Sequence, residues 1–268
     1  MILILSIILF FAALLAAFFG LGGGVLYTPF QLWLGIPFQE AAATSLLLIL
    51  VTSFSATLIF RKSKQVDWIL AFLLELPTTI GAFAGGVLSH YVSSVSLTIL
   101  LTLLLFLAGG LMLFPPQNPA NICASLNTKA SRWFIIRHYE KQTLSIDLRC
   151  VLPIMFVVGA LISIVGISGG AIKIPIMVLL FRIPMPLAIG SSAFMVGLTA
   201  TAGLLGHASV GHVQWQTAAV LIVPVFIGSQ LGSRLSVHLK GEKLKRWYGV
   251  FLILVAVFTI LRVLPDFL

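Results

Sequence analysis

Charge is what this chain has least of. Charged residues make up 9% of it, far below the roughly 25% of a soluble domain, and none precedes Glu40. Carboxylates are scarce, with Asp and Glu together numbering 7. The scarcity leaves no paired-carboxylate motif, no Walker-type run, no metal-ligand spacing and no grouping of nucleophile, base and orienting residue. An enzyme is therefore not indicated, and neither is a cofactor. Cysteine is almost as sparse. Cys123 and Cys150 are the only two, too far apart in sequence to suggest a disulfide framework or metal cluster, and are expected to be plain thiols.

What is present is apolar sequence, 60% by composition with a mean hydropathy of +1.15. Such a chain is an integral membrane protein, in contact with the lipid bilayer. Its net charge of +9 does not point to nucleic acid, because the basic residues are scattered in short loops between apolar spans, where they act as topology determinants.

A glycine-rich run organises the chain. Gly20-Leu21-Gly22-Gly23-Gly24, followed by Pro29, recurs as Gly166-Ile167-Ser168-Gly169-Gly170, followed by Pro175. With one residue inserted after the prolines, Gly35-Ile36-Pro37 aligns with Arg182-Ile183-Pro184 and Ala43-Thr44-Ser45 with Gly190-Ser191-Ser192. Val66-Asp67-Trp68 then falls on Val213-Gln214-Trp215, Pro77 on Pro224, Gly81 on Gly228 and Gly85 on Gly232. A match sustained over such a length marks an internal repeat. Each run interrupts apolar sequence, and a helix break without water is tolerated only where protein packs it or a cavity receives it.

These paired motifs, a glycine run entering a short apolar segment with Pro, a Thr/Ser cluster and a Val-Asp-Trp-type junction, resemble the sulfite exporter TauE/SafE family of transporters. The resemblance covers most of the chain outside the central loop. It implies export or uptake of small sulfur-containing anions such as sulfite or organosulfonates, with export as the expected direction.

Apolar periodicity predicts a helix over Ile2–Phe19, a break at Gly20–Gly24 and a short return helix over Val25–Leu34. Further spans are expected at 41–60, 68–89 and 97–114. Residues 115–149 form a basic, cytoplasmic linker, in which 130–140 reads either as a surface helix or as a solvated loop. The second half repeats the plan at 151–165, 171–181, 187–207, 215–235 and 247–261. The domains are thus 1–114, 115–149 and 150–268.

Loop charge sets the orientation. Arg61, Lys62 and Lys64 make the 60–68 junction basic, whereas the equivalent 208–215 junction has no Lys or Arg; the next pair reverses, with Lys240, Lys243, Lys245 and Arg246 in the second half only. Basic loops stay cytoplasmic, so the fold class expected is all-α integral membrane, two inverted-topology repeats, each a glycine-broken hairpin plus three transmembrane helices. It would be multi-pass in a bacterial-type cytoplasmic membrane, with both termini outside.

Inverted repeats with broken helices are the plan of a secondary transporter with a midplane site. A passive anion channel and a non-transporting membrane subunit are the alternatives. A short helix starting after each glycine run points free amides and a positive dipole end inward, which suits an anion. Gly22, Gly23, Gly24, Gly169 and Gly170 are the candidate contacts, against the reading that they only allow close helix crossing. Packing is the preferred reading for Gly81, Gly85, Gly86, Gly228 and Gly232. Lys173 is the one charge placed deep in an apolar segment with no evident partner, either a counter-charge to substrate or a snorkelling side chain. Its repeat mate Tyr27 offers a hydroxyl. Thr44, Ser45, Ser191 and Ser192 either donate to the anion or bond back to their own helices. Glu75, with Arg234 as a possible partner, and His207 and His212 are candidates for coupling to a proton or other ion.

Overall fold

A computed structural model describes residues 2–88, 94–114, 124–125, 133–139, 142–165, 169–209 and 215–263. Among these the first half forms α1 (Ile2–Phe18), α2 (Gly24–Trp33), α3 (Phe38–Lys62), α4 (Trp68–Leu88) and α5 (Ser94–Leu113). Strands β1 (Ala124–Ser125), β2 (Phe134–Tyr139) and β3 (Gln142–Asp147) follow. The second half forms α6 (Leu148–Val165), α7 (Gly170–Leu179), α8 (Met185–Ser209), α9 (Trp215–Val237) and α10 (Gly241–Val263). The protein is an all-α membrane protein outside its linker. Among the described residues, four helical stretches, Glu40–Lys62, Trp68–Gly85, Met185–Leu205 and Trp215–Val237, are long and apolar enough to cross a bilayer. On α4, Ile69, Phe72, Leu76, Ile80 and Phe83 are exposed large apolar residues at helical spacing, a stripe suited to hydrocarbon and not to water.

The chain divides into two compact units, and both draw on both halves of the sequence. Unit 1 comprises Met1–Ala71, Ile167–Gly170 and Pro186–Lys240; unit 2 comprises Phe72–Gly166, Ala171–Met185 and Gly241–Leu268. In unit 1, α9 packs along α1 and α3 over a core that includes Leu5, Leu9, Leu48, Val196 and Leu221. The α1–α9 crossing is close because a Cβ on Gly228 or Gly232 would collide with the carbonyls of Phe10 and Leu14. In unit 2, α4 crosses α6 in the same way, Gly81 against the Phe156 carbonyl and Gly85 against that of Ala160. Phe156 and Ala160 stand at the same offsets before the second glycine run as Phe10 and Leu14 before the first, so the two crossings use aligned sequence positions. The first helix of each half lies on the fourth helix of the other.

The linker expectation is corrected. Neither a surface helix nor a loop, residues 134–139 form a strand antiparallel to 142–147, with Ala124–Ser125 on the far edge in the order β1-β3-β2. Phe134, Ile135 and Ile136 favour a pleated, half-buried surface over a helix. The Arg149 guanidinium lies 5.0 Å over the Trp133 ring, and Asp147 Oδ1 accepts the Arg149 N–H at 3.0 Å, capping α6. The plain-thiol reading also fails for Cys150, which is disulfide-bonded; the chain's other cysteine, Cys123, lies outside the described residues.

Candidate functional site

The first glycine break is built by backbone geometry. Gly20 has φ 66°, and the pair of bonds Leu21 N–H to Ala16 O (2.8 Å) and Gly20 N–H to Ala17 O (3.2 Å) closes α1. This is the left-handed helix stop for which glycine carries no steric cost. Gly23, φ 98°, then opens α2 with no side-chain cap, leaving the first amides of α2 without one of the usual side-chain acceptors. The second short helix, α7, likewise begins on the last glycine of its run, Gly170. At their far ends the two halves match as well, since the aligned residues Gly35 and Arg182 both have positive φ, 81° and 55°.

Unit 1 brings the two glycine runs together. A Cβ on Gly170 would stand 2.8 Å from Leu21 Cα and 3.0 Å from Gly20 O. Ser192 joins the same junction, its Oγ donating to Gly20 O at 3.2 Å. Gly22 faces the side chains of Val196 and Ile49, and Gly23 is covered by the Tyr27 ring, so the space next to these two glycines is filled by protein. Ser191 has another task. Its Oγ accepts the Asp67 N–H at 3.1 Å, while Asp67 Oδ1 accepts the Leu70 N–H at 3.1 Å and caps α4, which explains the Val-Asp-Trp junction.

A polar network ties α2 to α3. Tyr27 Oη and Thr52 Oγ1 are 2.6 Å apart, Thr28 Oγ1 donates to Ser45 Oγ at 2.9 Å, and Gln31 Nε2 reaches the same Ser45 Oγ at 2.8 Å. Thr44 is buried beside this set on α3. Sequence reasoning misses Gln31 and Thr52, although Gln31 is fully buried and its Oε1 has no hydrogen-bond partner among the described residues. A signal for Gln31 exists: an amide side chain in a short apolar helix must find partners inside the protein.

Unit 2 supplies the charge chemistry. Lys173 Nζ donates to Glu75 Oε2 at 2.6 Å, with the two side chains 1% and 4% exposed. Lys173 is therefore no snorkelling side chain and no lone ammonium. The suggested Glu75–Arg234 pairing is corrected too, as the buried Glu75 carboxylate is held by Lys173 and Arg234 is exposed on α9. Tyr248 of α10 donates to the Ala171 carbonyl at 3.3 Å, fixing the start of α7. His212 and the side chain of His207 lie outside the described residues.

Interrupted apolar helices, a buried amide and hydroxyl network and a buried ion pair together define a membrane protein built around broken helices, the plan of membrane transporters. The sulfite exporter TauE/SafE family model matches residues 5–259, and the chain belongs to that family. It is similar to a probable membrane transporter protein, YunE, of Bacillus subtilis, 30% identical over 266 residues and covering 94% of each chain. A probable membrane transporter protein of Xylella fastidiosa is 28% identical, covering 91% of this chain and 88% of its own. YfcA of Escherichia coli K12, also named a probable membrane transporter protein, is 28% identical over 89% of this chain and 83% of its own. No solved structure matches. The protein is a membrane transporter for a small substrate and not an enzyme.

Proposed function

We propose that this transporter is a secondary carrier for a small sulfur oxyanion, sulfite or an organosulfonate, working as an exporter in the cytoplasmic membrane. The observation that carries the reading is the junction in unit 1, where the two glycine runs, each opening a short helix, touch at Gly20, Leu21 and Gly170. A helix of 10 residues such as α2 or α7 is about 15 Å long, half of a ~30 Å hydrocarbon core. A short helix anchored at one interface therefore starts near the midplane, where its first amides are the strongest anion-binding groups at hand. Gly22, Gly23, Gly24, Gly169 and Gly170 would provide backbone contacts, and Tyr27, Thr44, Ser45, Ser191 and Ser192 hydroxyl groups, once the packed glycines open. The inverted topology with multiple passes and both termini outside, and the division into repeats at 1–114 and 150–268 around the linker, belong to the same proposal.

Flux in proteoliposomes tests it. A carrier gives saturable [35S]sulfite uptake and transient accumulation when unlabelled sulfite is preloaded. Ohmic, non-saturating current would identify a channel instead.

A further inference from the structure

The buried Lys173–Glu75 pair has no charged counterpart at the aligned positions of the first and second halves. By the repeat alignment the equivalents of Lys173 and Glu75 are Tyr27 and Ile222, both in unit 1, where Tyr27 is a fully buried member of the core and Ile222 packs against it. The same pair of helix positions is thus filled by neutral side chains in one unit and by opposite charges in the other. Replacing a buried ion pair by well-packed neutral residues is usually neutral or stabilising, and an ionisable group at membrane depth calls for a functional reason. An asymmetry that stability does not demand is best assigned to transport.

We infer that Glu75 and Lys173 form the proton-coupling site of the carrier: protonation of Glu75 frees the Lys173 ammonium to compensate a transported anion, so one proton and one anion move together. The inference rests on the anion-carrier reading above. With Glu75 ionised the pair is neutral and the ammonium is satisfied by its carboxylate. With Glu75 protonated the pair carries one positive charge, which attracts an anion; release of anion and proton on the other side lets the pair close again. No other charged residue lies on α4, α5 or α7. The titratable groups on the neighbouring helices are Tyr248, Glu242, Lys243, Lys245, Arg246 and Arg262 of α10, with Arg149 at the start of α6. Of these, Tyr248 meets α7 directly, through the Ala171 carbonyl. For a monoanion the cycle is electroneutral, so export down the anion gradient carries acid out with it and is indifferent to membrane potential.

The test uses the full chain in proteoliposomes with [35S]sulfite and, because sulfite itself titrates near neutrality, with ethanesulfonate, which stays a monoanion. An acid-outside gradient should drive concentrative uptake, and a pH dye should report one proton per anion. Apparent affinity should rise about tenfold per unit fall in pH where Glu75 titrates. In Glu75→Gln, counterflow should vary by less than about twofold across the same range, since no proton is exchanged on binding, and the gradient should drive nothing. Glu75→Asp, which keeps a titrating carboxylate, should retain the response. Parental counterflow that ignores pH, or net anion uptake that moves no protons, overturns this inference alone, as does a proton-driven Glu75→Gln. Absence of counterflow for both anions overturns the carrier reading, and the coupling with it.

Discussion

At residue scale, the Lys173–Glu75 pair makes the sharpest demand. The 2.6 Å contact between side chains 1% and 4% exposed means that Lys173→Met removes the ion-pair partner of a buried carboxylate. Breaking such a pair from one side costs about 3–5 kcal/mol, so thermal unfolding in detergent should show a large loss for Lys173→Met. The double change Lys173→Tyr with Glu75→Ile installs the residues that unit 1 uses at the equivalent positions, and it should recover most of that loss. If the double variant is as unstable as the single one, the pair is structural and the comparison between units misleads.

At the scale of elements, the helix crossings depend on single missing Cβ atoms. Gly85→Ala drives a methyl into the Ala160 carbonyl between α4 and α6, and Gly232→Ala does the same at Leu14 between α1 and α9. Each should cost about 1–3 kcal/mol, the usual range for overpacking. At Gly110 in α5 an added Cβ would meet nothing within 4 Å, so Gly110→Ala should be neutral or stabilise by up to ~1 kcal/mol through helix propensity. Equal effects at the three positions would contradict the crossing geometry. Much of this level was legible in the sequence, because glycine runs, prolines and apolar periodicity act locally: α2, expected at Val25–Leu34, spans Gly24–Trp33, and α4, expected at 68–89, spans Trp68–Leu88. The exchange of α1 and α6 between units was not legible, since which helix a glycine faces is decided by three-dimensional packing. The partner of Glu75 stayed hidden for the same reason, as Lys173 lies far away in sequence and no spacing rule connects them. The linker strands were missed because their pairing depends on register between β2 and β3 and not on helical periodicity.

At the scale of the whole molecule, topology and ligand decide the account. Cysteines introduced at Ser63 and Gly241 should label from the cytoplasmic side and one at Gly211 from outside, because Arg61, Lys62 and Lys64 flank the first and Lys240, Lys243, Lys245 and Arg246 the second. Labelling of positions 63 and 211 from one side would make the repeats parallel and remove the basis for a midplane site. A further label within the linker places it, where the basic residues favour the cytoplasm and the disulfide at Cys150 favours an oxidising compartment. The central claim, a folded site for a sulfur oxyanion, is tested most directly by thermal unfolding of the purified protein against a panel of sodium salts at matched ionic strength. A ligand at a hundred times its Kd adds about 2.7 kcal/mol to the folded state, so sulfite or ethanesulfonate should raise the Tm in a saturable way while chloride does not. A Tm that responds to none of the sulfur oxyanions beyond the chloride control would contradict the claim.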